Sequence, residues 1–235
     1  MISGIIFDYG GTIDSAGDHW SEVIYDQYRA YGLDIDYDTF AEAYVYGERY
    51  LAKNYVVTAS DTFRDVMRRK LTLQMNHLAE KGVLSQIAAT ASAYPIADAC
   101  YRHARTCIDD IRDDIEALAE RYPLVLVSNF YGNIDSVLRD MNLRHLFRGI
   151  VESAVIGIRK PDPRIFAVGC TVLDLPADEV LVVGDSIDKD LLPASSLGCS
   201  TAYIAGRPWR AAKAIPEAAR FTPTTIHALT AELVK

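Results

Sequence analysis

A chain of 235 residues, 50% hydrophobic and 24% charged, has an ordinary globular composition and enough length for one substantial core. Its net charge of −8 argues against nucleic acid or anionic membrane as partners, because both require a basic face. A phosphorylated small molecule is still admissible, since a metal ion and one Lys suffice to build a local positive site.

The N-terminus runs straight into Ile5–Ile6–Phe7 without a charged segment followed by a long apolar stretch. No apolar run approaches the ~20 residues of a membrane span. Cys100, Cys107, Cys170 and Cys199 are widely spaced and form no CxxC or His-rich pattern, so they read as reduced, mostly buried thiols. A soluble, cytoplasmic protein is expected.

The first strand signal is Gly4–Phe7. More than a hundred residues then pass without another, and the periodicity predicts helices at Trp20–Tyr31, Thr39–Asn54, Thr62–Lys81 and Ile96–Arg105. A crossover that long reads as an inserted helical domain. Beyond it, helices and strands alternate. Helices are predicted at Ile111–Arg121, Asn133–Met141, Pro163–Leu173 and Lys189–Leu197. Strands are predicted at Leu124–Val127, Val180–Val183 and Thr201–Ile204, with a weaker one at Gly149–Val151. Near-continuous hydrophobicity suggests strands covered on both faces of a parallel sheet. The expected fold is therefore α/β, a Rossmann-like core from residues 1–16 and 105–235 with a helical cap at 17–104, hinged near Asp14–Asp18 and Ala104–Asp109. The acidic cluster from Asp109 to Glu116 reads as a solvated helix face near an N-terminus.

Four segments at predicted strand ends carry chemistry. The first strand leads into Asp8–Tyr9–Gly10–Gly11–Thr12, a carboxylate at the crevice of an open α/β sheet beside glycines that allow close backbone approach. The second ends in Val127–Ser128–Asn129, where a hydroxyl and backbone N–H groups could hold a phosphate oxygen. Arg159–Lys160–Pro161–Asp162–Pro163 holds Lys160 out of helical geometry at a helix start, a place suited to anions. Asp185, Asp188 and Asp190 follow Gly184, a concentration of carboxylates that calls for a cation, and oxygen ligands without His or Cys favour Mg²⁺ over Zn²⁺. Each segment alone has a bland alternative as a turn, a helix cap or a surface lysine.

Taken together and in this order, the four segments resemble the four motifs of the haloacid dehalogenase superfamily, and the insertion after the first resembles its helical cap. The resemblance implies a nucleophilic Asp8 that becomes a phosphoaspartate, and Mg²⁺ held by Asp8, Asp185 and the backbone carbonyl of Gly10. It implies Ser128 and Lys160 on the transferring phosphoryl group and Asp190 behind the metal or Lys160. Gly11, Thr12 and Asn129 are candidate phosphate contacts. The pattern breaks at Gly10, where phosphatases of the superfamily carry a second Asp as general acid/base, a group contributing on the order of 10²–10⁴-fold in rate. Asp14 is the nearest spare carboxylate and reads more readily as part of a hinge.

The implied activity is hydrolysis of a small phosphorylated metabolite by a monomer or weak dimer. A phosphonatase or dehalogenase-like hydrolase and a non-catalytic Mg²⁺- and phosphate-binding protein stay open beside it. Lys53, Lys70 and Lys81 are candidates for a phosphonatase Schiff base and read otherwise as surface helix residues. Cap tyrosines from Tyr37 to Tyr55 either line the site, with Arg49 meeting a second anionic group, or pack against neighbouring helices. The histidines lack triad spacing, which makes a Ser–His–Asp hydrolase a poor competitor.

Overall fold

The computed structural model describes residues 1–209, 221–222 and 225–235. Five parallel strands form one sheet: β1 (Gly4–Phe7), β2 (Leu124–Ser128), β3 (Gly149–Glu152), β4 (Val180–Gly184) and β5 (Ser200–Tyr203), in the order β3-β2-β1-β4-β5. Ile5, Phe7, Leu124, Leu126, Leu181 and Val183 join one core layer, while Ile6, Val125, Val127, Val180 and Val182 join the other. This two-sided burial explains why the strands read as continuous apolar runs rather than alternating ones. Phe7 pairs with both Leu126 and Val183, so the loops after β1, β2 and β4 leave the same edge. The chain fills one side of β1 with β2 and β3, then the other with β4 and β5. The crevice beyond the central strands is where such sheets bind ligands.

The insertion begins with α1 (Trp20–Ala30), α2 (Tyr37–Asn54) and α3 (Phe63–Glu80), each within two residues of its predicted start. Ser85 then caps α4 (Gln86–Arg121), a single helix of 36 residues. The predicted helices Ile96–Arg105 and Ile111–Arg121 are therefore one element, and the segment expected to be a hinge near Ala104–Asp109 lies inside it. The physical reason is an unbroken stripe: Ala89, Ala93, Ile96, Cys100, Ala104, Ile108, Ile111, Ile115 and Leu118 are all buried at steps of three or four residues. Pro95 lies within this helix without ending it. The acidic cluster sits in its second half, not at an N-terminus, where Arg112 pairs with Asp109 at 2.7 Å and His227 bridges Asp110 and Asp114.

The rest of the described chain adds α5 (Ile134–Asp140), the short α6 (Ser153–Ile156), α7 (Arg164–Leu173), α8 (Leu192–Ser196) and α9 (Ile226–Leu233). The helix predicted at Lys189–Leu197 is instead one π-helical turn, Ile187–Leu191, running into α8. All four cysteines are free, and Cys170 and Cys199 bring their sulfurs within 3.9 Å of each other. Among the described residues no helix is long and apolar enough to cross a membrane. Several hydrogen bonds hold the insertion over the sheet edge, among them those of Arg207 with Asp18 and three from the loop after β2 and the start of α5. Tyr131 Oη donates to Glu48 Oε2 at 2.7 Å, Asn133 Nδ2 to the Asp61 carbonyl at 2.8 Å, and Ser136 Oγ to the Ser60 carbonyl at 3.1 Å.

Candidate active site

At the end of β1, the Asp8 N–H donates to the Val183 carbonyl at 2.9 Å, which fixes the backbone before the chain turns. The turn closes as the Ile13 N–H reaches the Tyr9 carbonyl at 2.9 Å and the Gly11 N–H reaches Asp14 Oδ1 at 2.8 Å. Gly11 has φ +99°, and a Cβ there would fall 2.5 Å from the Asp185 carboxyl carbon, so glycine is required on both counts. Thr12 is fully buried and points its hydroxyl at Asp185 Oδ1, 3.1 Å away, and Asp8 Oδ2, 3.4 Å away. Neither residue lines the cavity above Asp8. Gly11 and Thr12, expected to contact phosphate, instead have these groups engaged in shaping the loop and bracing the carboxylates.

Lys160 is the centre of the cluster. Its Nζ donates to Asp8 Oδ1 at 2.7 Å and Asp190 Oδ1 at 2.6 Å, and its side chain is buried. Burial opposes the ammonium, but Asp190 and Asp8 outweigh it and push its pKa up to about 12. Asn129 fixes the lysine's backbone: its Oδ1 accepts from the Lys160 N–H at 2.9 Å and its Nδ2 donates to the Lys160 carbonyl at 3.1 Å. The Asn129 side chain therefore positions Lys160, a different use from the phosphate contact expected of it. Ser128, at the end of β2, is buried and lines the cavity beside Asp8.

Carboxylate oxygens of Asp8, Asp185 and Asp190 lie within 4.8 Å of one another, close enough for the three to share one cation. Burial, then Asp8 and Asp190, holds the Asp185 carboxyl well above the usual range, and burial raises Asp190 to about 6 against the pull of Lys160. Three carboxylates and one ammonium sum to −2, the charge that a divalent cation would balance, and the all-oxygen donor set suits a hard one. Gly184 leaves the space: a Cβ there would come within 2.5 Å of Asp190 Cβ.

Asp14 is not a loose hinge residue. It is fully buried, accepting from the Gly11 N–H and, through Oδ2, from Trp20 Nε1 at 2.9 Å. Burial pushes its carboxyl up to about 7 despite these donors. A carboxyl raised from the ordinary 3.8 favours the protonated folded state, so stability falls as pH rises from about 4 through 7. The metal-free Asp14→Asn variant lacks that slope. Its stability relative to wild type, read from urea midpoints, should improve between pH 4 and 8 by as much as about 4 kcal/mol. Parallel pH curves for the two proteins would contradict this.

A cavity of about 540 Å³ separates this cluster from the insertion, whose wall includes Trp20, Tyr44, Glu48 and Lys70. Lys70, expected on the surface, is buried there, whereas Lys53 and Lys81 are exposed. Arg49 is absent from this wall. One residue after Glu48 on a 3.6-residue helix, it turns about 100° away and lines a second cavity with Tyr46 and Tyr50. The other cap tyrosines mostly pack: Tyr37 and Tyr44 join an aromatic cluster with Phe40 and Trp209, Tyr46 stacks on His77, and Tyr55 faces solvent. Lys70 was findable, since it falls within the buried spacing Val66, Met67, Leu71, Gln74, where a lysine is out of place.

Residues 2–198 match the sequence model of haloacid dehalogenase-like hydrolases. The chain belongs to this family. Among curated relatives, the ribulose-1,5-bisphosphate 5-phosphatase of Halopiger xanaduensis is 24% identical over 86% of this chain and 84% of its own. The glyceraldehyde 3-phosphate phosphatase of Methanopyrus kandleri is 36% identical over a shorter stretch, 27% of this chain and 28% of that one. The stretch matched in that relative is thus under a third of its length. The putative HAD-hydrolase YfnB of Bacillus subtilis, solved bound to magnesium, shares the fold with a TM-score of 0.59 at 19% identity, covering 99% of this chain and 98% of that one. This haloacid dehalogenase-like hydrolase therefore has relatives named as phosphatases and a site built of carboxylates around one lysine.

Proposed function

We propose that this chain is a Mg²⁺-dependent phosphatase acting on a small phosphomonoester or acyl phosphate through a phosphoaspartate on Asp8. The observation that carries the reading is the Lys160 ammonium bridging Asp8 and Asp190 beside Asp185 in one buried cluster. The phosphatase names among its relatives support it. Phosphoryl transfer demands positioning and charge neutralisation above all, and this cluster is suited to both.

An Asp8 carboxylate oxygen attacks phosphorus, and the bond from phosphorus to the leaving oxygen breaks with its electron pair on that oxygen. Lys160 holds Asp8 in place and offsets phosphoryl charge, Ser128 donates its hydroxyl to a phosphoryl oxygen, and Asp190 anchors Lys160. Water then attacks phosphorus, the bond to Asp8 breaks, and inorganic phosphate leaves with the carboxylate restored. Mg²⁺, held by Asp8, Asp185 and the Gly10 carbonyl, would supply Lewis-acid stabilisation of the phosphoryl oxygens. Residues 17–104 act as a cap closing over a core of residues 1–16 and 105–235, which excludes water from the reacting centre. The working form is a cytoplasmic monomer or weak dimer.

Gly10 brings no side chain to protonate the leaving oxygen, and Asp14, which lines the cavity, is tied to the Gly11 N–H and Trp20 Nε1, so the proton comes from water. Aryl and acyl phosphates, whose leaving groups need little protonation, should be hydrolysed faster than alkyl phosphates by on the order of 10²-fold or more. Matched kcat values on the two classes would contradict this. Phosphate release from an aryl phosphate that requires both Mg²⁺ and Asp8 tests the whole reading. No release from wild type or from Gly10→Asp would turn it toward a non-catalytic phosphate binder.

A further inference from the structure

The cavity wall opposite Asp8 carries a charged cluster that the phosphoryl chemistry does not use. Lys70 Nζ, on α3, lies 2.5 Å from Glu48 Oε1 on α2. Tyr131, in the loop after β2, donates its hydroxyl to Glu48 Oε2 at 2.7 Å, and the ammonium stands 5.8 Å from the centre of its ring. All three line the same cavity as Asp8 and Lys160. Burial disfavours both charges, yet their attraction keeps Glu48 below and Lys70 above the ordinary values. Desolvating such a pair cancels most of its attraction, so an apolar pair of similar volume would hold α2 to α3 at least as well. Placed in the wall of a cavity that faces a phosphoryl-transfer site, the pair is better accounted for by a ligand.

We propose that Lys70, Glu48 and Tyr131 bind an uncharged, hydroxyl-bearing tail of the substrate, which is then a small polyol or sugar monophosphate and not a bisphosphate. The inference rests on the phosphatase reading above. A hydroxyl both donates and accepts, and the pair offers both complements. Each carboxylate oxygen of Glu48 can accept more than one hydrogen bond, and the ammonium of Lys70 has three N–H groups, with Glu48 as its ion-pair partner among the described residues. The pair is also neutral overall, so it offers no net charge to a second phosphate. The cavity lining as a whole holds six Asp or Glu residues against three Lys, the third being the exposed Lys189. A divalent cation leaves that count at about −1 and one phosphoryl group returns it to about −3, so a second phosphate would enter a cavity that is already negative, with no cation among the described residues there left unpaired to receive it but the exposed Lys189. An ammonium held by a carboxylate is not the free amine that imine formation needs, so a Schiff base is not part of the proposal. The tail's contacts supply binding energy away from phosphorus, which can offset part of what the missing acid at Gly10 would have contributed.

The test compares kcat/KM with Mg²⁺ for glycerol 1-phosphate, n-propyl phosphate and a hexose bisphosphate, alongside an aryl phosphate. Wild type should prefer glycerol 1-phosphate to n-propyl phosphate by about 10–100-fold, the range for hydrogen bonds to charged groups. It should prefer it to the bisphosphate as well. Glu48→Gln, Tyr131→Phe and the double variant Lys70→Met/Glu48→Met should each lower the first ratio, the double variant bringing it near one. The double variant leaves no unpaired buried charge, and Tyr131→Phe removes one oxygen only, so at least one variant stays folded, as circular dichroism would check. A wild-type ratio near one, an unchanged ratio in a folded variant, or a preference for the bisphosphate would overturn the inference alone. No release from any ester, the aryl phosphate included, would overturn the phosphatase reading and this inference together.

Discussion

On the phosphatase reading proposed above, Asp8→Asn should lower phosphate release by at least about 10⁴-fold, the scale seen when a nucleophile is removed from an enzyme whose binding groups stay in place. The amide retains the shape of the carboxylate and one oxygen for Lys160, so the cluster can still assemble. It cannot form the phosphoaspartate. Lys160 then keeps Asp190 as its charged partner at 2.6 Å, which protects the fold from an orphaned buried ammonium. Two measurements separate chemistry from folding: steady-state release from an aryl phosphate, and acid-quenched trapping of phosphorylated protein. Wild type should yield an acid-stable, hydroxylamine-labile phosphoprotein, and Asp8→Asn should not. Release surviving in Asp8→Asn within tenfold of wild type would remove Asp8 from the chemistry.

Gly10→Asp should raise the rate on alkyl phosphates by on the order of 10²-fold, the lower end for a positioned general acid. The backbone permits it. Gly10 has no positive φ, and a Cβ there meets nothing nearer than Trp20 Cδ1 at 4.0 Å. Glycine is not needed at this position for conformation or packing, in contrast with Gly11 beside it. The new carboxyl would enter a cavity that Gly10 already lines with Asp8 and Ser128. Aryl phosphates should gain much less, because their leaving groups need little protonation. A gain confined to alkyl esters locates the deficit in proton transfer, and an equal gain on both classes would contradict that assignment.

The sheet was readable in the sequence because β1, β2 and β4 are buried along their whole length, and a short, unbroken run of β-branched and aliphatic residues between turn signals fits a covered strand better than a helix. Asp8, Ser128 and Asp185 stood out because each ends or follows a strand, where chain topology alone brings distant segments together, and Lys160 because Pro161 and Pro163 set it at a helix start. What stayed hidden depends on directions that spacing does not encode. Gly11 and Thr12 look like ligand contacts until Asp14 and Asp185 are seen to take their donors. Arg49 and Glu48 are neighbours in sequence, and only the packing of α2 decides which of them faces the cavity. The join between Arg105 and Ile111 was obscured by the acidic run that begins at Asp109, and the helix's start at Gln86 by Pro95, although the buried stripe runs through without a break.

That continuous helix changes what the insertion is. Its first half packs mainly on α3 and its second half on α9, so one rod of about 54 Å belongs to both parts of the molecule. The insertion is then no detachable cartridge. A graft that exchanged residues 17–104 for another family member's cap would splice through the middle of a helix, and the retained Ile108 and Ile111 would have to continue a stripe begun by foreign side chains. If the insertion opens as the proposed cap, it would likewise have to bend this shared beam or swing the first three helices against it.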